Sequence, residues 1–66
     1  MKVRFDEEAN ALYLRLDDSS IVESEEVRPG VVLDYNADDQ LVGVEILGVT
    51  DRVPLASLRR IQLDVA

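Results

Sequence analysis

The sequence contains no cysteine, no histidine and no tryptophan. Without cysteine there are no disulfides and no thiolate metal sites, a composition that fits a cytoplasmic protein. Without histidine the chain lacks the commonest zinc ligand and the commonest general base. Its three glycines, Gly30, Gly43 and Gly48, are isolated, so no glycine-rich phosphate loop is encoded. Lys2 is the single lysine, and none of Ser19, Ser20, Ser24, Ser57 or Thr50 has a histidine to activate it. No apolar run approaches the roughly 18 residues of a membrane span. The opening MKVRFDEEAN has no apolar signal-peptide core. Positive charge is scarce, with 7 Lys and Arg against 14 Asp and Glu, and the net charge of −7 repels nucleic-acid phosphates and anionic membranes. Together these absences argue against an enzyme, a nucleic-acid binder and a membrane protein.

The chain does have a hydrophobic fraction of 47%, dominated by Val and Leu, which is enough for a core and too much for a disordered chain. A length of 66 residues allows one domain, residues 1–66. A globule this small buries only about 60% of the surface its unfolded chain exposes. Small chains compensate with disulfides, a metal or self-association. Disulfides are excluded and a metal site would lack both cysteine and histidine, so the expected partner is a second copy of the chain, in a dimer or larger homo-oligomer.

Strand periodicity runs through most of the sequence. Val3 and Phe5 alternate with Lys2, Arg4 and Asp6. After a polar turn over residues 6–10, in which Asn10 suits a left-handed backbone, Leu12, Leu14 and Leu16 alternate with Tyr13 and Arg15. Residues 21–27 (IVESEEV) read as a strand whose Glu23, Glu25 and Glu26 suit a sheet edge. Pro29-Gly30 encodes a type II turn. Val31–Tyr35 and Leu41–Leu47 then form a hairpin around Asn36–Gln40. Val42, Val44 and Ile46 share one face of the last strand and Leu41, Glu45 and Leu47 the other, which predicts a strand partly covered on both sides. Gly43, inside that strand, marks a bulge or a close backbone approach. Pro54 with Leu55, Leu58 and Ile61 predicts about two helical turns over residues 54–60. Ile61, Leu63 and Val65 alternate with Gln62 and Asp64, predicting a final strand or an extended tail. The expected fold is α+β: an antiparallel β-meander of about five strands with one short C-terminal helix.

Three groups of residues invite a chemical reading. Asp34, Asn36, Asp38 and Glu45 have the 1, 3, 5, 12 spacing of an EF-hand calcium loop, but Asp39 stands where that loop needs glycine and both flanks read as strands. A hairpin turn rich in Asp and Asn accounts for the same residues. Asp6, Glu7 and Glu8, with Asp17 and Asp18, resemble paired catalytic carboxylates, yet a domain this small has no room for a substrate-enclosing cleft. Arg52, Arg59 and Arg60 are the only basic concentration, read as charges at a helix end.

Taken as a set, FDEEANALYLRL and VRPGVVLDYNADDQLVGVEIL resemble the bacterial and archaeal family named domain of unknown function 2283. The positions that carry the resemblance are Asp6, Glu8, Asn10–Tyr13 and Leu16, the Pro29-Gly30 turn, Asp34 and Tyr35, and then Val42, Gly43 and Glu45–Leu47. Phe5 replaces the family's usual tyrosine, Asn10 an aspartate, and Asp39-Gln40 a common turn glycine. The resemblance implies a compact β-rich fold, supplies no catalytic residue, and brings with it the idea of an antitoxin paired with a small toxin. It also draws attention to Glu45, a charge in an apolar strand that is either solvated or paired with an arginine such as Arg15.

The sequence therefore points to a non-catalytic, self-associating protein-interaction module in the cytoplasm, with no catalytic, cofactor-binding or metal-ligating residue assigned. The alternatives are an acidic antitoxin-like partner of a small basic toxin and a weak divalent-cation-binding domain at residues 34–45.

Overall fold

The computed structural model describes residues 1–66. Five strands form one antiparallel sheet: β1 (Lys2–Asp6), β2 (Ala11–Arg15), β3 (Glu23–Arg28), β4 (Val31–Tyr35) and β5 (Leu41–Leu47). A 3-10 turn, Val49–Asp51, and a single helical turn, α1 (Leu55–Leu58), follow.

The turns form where the residue chemistry allows them. Asp6 Oδ1 accepts the Ala9 N–H at 3.1 Å, and Asn10 takes the left-handed φ of 52° that closes the β1–β2 hairpin. Gly30 holds φ 79° between β3 and β4. In the β4–β5 loop Asp39 is left-handed at φ 61°. There Asn36 Oδ1 accepts the backbone N–H groups of Asp38 (3.0 Å) and Gln40 (2.9 Å).

The strand order is β1-β2-β5-β4-β3, which corrects the expected meander. Only β3, β4 and β5 follow one another as neighbours. β2 pairs with β5, so β2 to β5 have the spatial order of a Greek key. The connection from Leu16 to Val22 must therefore run along one end of the sheet to the far edge. Arg15 fixes it, donating from Nε to Asp17 O (2.6 Å) and from a terminal nitrogen to Ser19 O. Asp17 Oδ1 accepts the Ser19 N–H at 2.7 Å; the Ser19 side chain first, and then this backbone bond, hold the exposed Asp17 carboxyl below its usual range.

The register sorts side chains onto two faces. Val3, Leu14, Val44 and Leu33 stand opposite one another in a row across four strands; Phe5, Leu12, Ile46 and Val31 form a second row beside it. This is the apolar face predicted from the alternation. The other face carries Arg4, Tyr13, Glu45 and Val32 in one row, and Arg15, Gly43, Asp34 and Ser24 in the next.

Burial is sparse. The buried apolar residues are Ala11, Val42, Val49 and Leu58. Both rows of the apolar face are only half-buried, apart from Val3, which is exposed. Leu41 and Leu47, at the ends of β5, are exposed as well, while Gly43 is buried and Glu45 half-buried between them, so that side of β5 is covered only in its middle. The helix is shorter than the two turns expected over residues 54–60, with Pro54 capping it from outside at ψ 144°. Residues 61–66 form no strand and are exposed, with no sheet edge beside them to complete the alternating pattern.

Candidate functional site

On the polar face, Asp34 of β4 is the buried charged residue of the sheet. Both of its carboxylate oxygens are engaged: Tyr13 donates its hydroxyl to Oδ2 at 2.9 Å, and Ser24 donates to Oδ1 at 2.6 Å. Ser24 lies directly opposite Asp34, on the neighbouring edge strand. Tyr13 lies two strands away, on β2, and its ring must cross β5 to reach Asp34. It crosses at Gly43, the residue opposite both Asp34 and Arg15. A Cβ on Gly43 would collide with the Tyr13 hydroxyl and lie 3.0 Å from Cζ and 3.1 Å from Asp34 Oδ2. The glycine in mid-strand thus serves a close approach, and the object approaching is a tyrosine ring.

Burial first, and then the hydrogen bond to the Asp34 carboxylate, raise the Tyr13 phenol above its ordinary value of 10.0. The linkage has a definite sign. Above about pH 10 the unfolded chain loses a phenolic proton that the folded chain retains, so folding is penalised. This contribution is intact below pH 10 and is lost as pH rises through the folded value. Thermal melts from pH 9 to 11 are expected to show an alkaline fall in stability that is smaller in Tyr13→Phe; equal slopes in the two proteins would refute the assignment.

Beside this cluster lies a shallow groove of about 440 Å³ between Arg4, Asp6, Tyr13, Asp34 and Glu45, with Ala9 and Ala11 as its small apolar members. Arg4 and Asp6 form a loose ion pair at 3.8 Å. Glu45 stands opposite Tyr13 and has no salt-bridge partner. It is half-buried, and its carboxylate oxygens remain open to water. Of the two readings of Glu45, solvated or paired with an arginine such as Arg15, the pairing is not formed, because Arg15 is committed to the β2–β3 connection. The groove is an acidic, hydrogen-bonding surface, with both oxygens of its buried carboxylate already engaged.

The calcium-loop spacing does not bring its residues together. Asp34 faces the hydroxyls of β2 and β3, while Asn36 Oδ1 is spent on the loop backbone. No group of three or more carboxylates has a cation-holding arrangement. Asp6, Glu7 and Glu8 lie around the β1–β2 turn, where Glu7 meets Arg59 at 2.9 Å. That contact gives Arg59, at the C-terminal cap of α1, an acidic partner from the same chain. The Tyr13–Asp34–Ser24 cluster was not read from the sequence; the signal pointing to it was Gly43, an isolated glycine in a strand flanked by valines.

The family described as protein of unknown function (DUF2283) matches residues 2–49, which span all five strands and every residue of the groove. The chain belongs to this family. No curated protein and no solved structure matches it. The part of this DUF2283 protein beyond the match contains α1 and the exposed tail. None of its helices is long and apolar enough to cross a membrane.

Proposed function

We propose that this DUF2283 protein is a non-catalytic interaction module that works as a self-associated assembly. The observation that carries this reading is its surface. The single chain exposes 5111 Å², whereas a folded monomer of 7.4 kDa exposes about 4,200 Å². The excess, roughly 900 Å², is close to the ~800 Å² that each partner buries in a stable interface. Part of it belongs to the tail, where Leu63 and Val65 are 84% and 88% exposed. The shape agrees: the radius of gyration is 12.7 Å, against about 11 Å for a compact domain of this length. Sedimentation equilibrium at micromolar concentration is expected to give at least twice the chain mass of 7.4 kDa. A clean monomer would remove the proposal.

A second reading, an acidic antitoxin-like partner covering a small basic toxin, draws on β3. Its Glu23, Glu25 and Glu26 are exposed at the sheet edge and have no ion-pair partner. Complementary charge of this kind steers association with a basic surface. The same sedimentation measurement separates the two readings, because a chain waiting for a basic partner stays at 7.4 kDa alone.

A further inference from the structure

We infer that the surface of self-association is the apolar sheet face, with a second copy stacked on it sheet against sheet. This rests on the self-association reading above and assigns it a place. A sheet that is apolar on one face must bury that face against another layer, and here neither the Val3–Leu14–Val44–Leu33 row nor the Phe5–Leu12–Ile46–Val31 row is buried. An identical sheet supplies the missing layer at the usual spacing of about 10 Å, with the two inner faces interdigitating. A two-fold axis through the face makes the contact self-complementary and closes the assembly at two.

The remaining surfaces are poorer candidates for the same contact. The opposite face carries the charges of Arg4, Asp6 and, in its middle, Glu45, which are costly to dehydrate. The charges on the apolar face are confined to the β3 edge, where Glu25 and Arg28 stand opposite Leu33 and Val31. The β3 edge presents Glu23, Glu25 and Glu26 against any strand that approaches it. The β1 edge carries Lys2 and Arg4, so the one favourable edge contact is head-to-tail, basic β1 to acidic β3. Such a contact does not close at two copies.

Charge gives the two geometries opposite salt responses. Each copy carries −7, so two copies stacked through apolar residues repel one another, and salt strengthens their association. An edge contact between basic and acidic strands is weakened by salt.

The test is sedimentation equilibrium on four proteins: the wild type, Val3→Asp, Arg4→Gln and a chain ending at Arg60. Val3 is 48% exposed in the single chain, so Val3→Asp leaves the isolated sheet intact while placing a charge in the proposed contact. It is expected to weaken association at least tenfold, with the far-ultraviolet circular dichroism of the sheet retained. Arg4→Gln, next along the same strand but on the opposite face, is expected to associate as the wild type does. For the wild type, raising sodium chloride from 50 to 500 mM is expected to tighten association, a measurement that holds even where Val3→Asp fails to fold. A monomeric wild type overturns both this inference and the functional proposal. A wild-type assembly that survives Val3→Asp, loosens in salt, or disappears when the chain ends at Arg60 overturns the face assignment alone, leaving self-association through an edge or the tail.

Discussion

Replacing Gly43 with alanine is expected to destabilise the protein by about 3 kcal/mol, combining overpacking with the loss of a buried hydrogen bond. The added methyl group would occupy the space taken by the Tyr13 hydroxyl. The tyrosine cannot retreat without giving up its 2.9 Å bond, and Asp34 is 8% exposed, so water does not readily replace it. The cost therefore falls on the pair and not on the backbone, since Gly43 is not among the residues of positive φ. The mechanism can be isolated by a double-mutant cycle. Tyr13→Phe removes the overlapping oxygen, so Gly43→Ala in that background is expected to cost clearly less than in the wild type. Urea melts giving strictly additive effects would show that the alanine acts elsewhere.

Asn36→Ala is expected to cost about 2 kcal/mol, because it removes the acceptor of two backbone donors at once. Asn36 is 7% exposed, and its amide also donates to Gln40 Oε1 at 3.0 Å. Losing that side chain unties the loop that sets the register of β4 against β5. Asn36→Asp keeps an acceptor at the same place and is expected to lose less than Asn36→Ala. A difference of under about 0.5 kcal/mol between Asn36→Ala and the wild type would mean that the loop is held by its backbone bonds alone.

The sequence revealed the local structure far better than the distant pairing. Asn10 and Gly30 announced their left-handed turns because backbone sterics leave few other residues for those positions. The glutamates of residues 23–26 announced an edge, and β3 lies at one. Alternation also sorted Leu12 and Leu14 from Tyr13 and Arg15, the faces they occupy. Alternation assigns a side chain to a face but says nothing about which strand lies alongside. The β2–β5 pairing was therefore invisible, and a plain meander was expected in its place. The same limit applied to the site: Tyr13 and Asp34 are brought together by a neighbour relation that no local pattern records. Gly43 carried half of the message, that something comes close, without saying what. The tail shows the converse failure, since Ile61, Leu63 and Val65 have a strand's alternation but no strand to pair with.

The Greek-key order has a consequence in chain entropy. The β1–β2, β3–β4 and β4–β5 pairings close short turns, whereas pairing Ala11 with Leu47 closes a loop running from residue 11 to residue 47. Closure entropy grows with the logarithm of loop length, which makes that last pairing about 2 kcal/mol more costly than a five-residue turn. The sheet is thus two locally cheap pieces, a hairpin and a three-stranded meander, joined along one expensive seam between β2 and β5. Tyr13 leaves the hairpin side of that seam, passes over Gly43 on the other, and bonds Asp34 beyond it. The groove with no assigned chemistry therefore lies over the latch that holds the two pieces together.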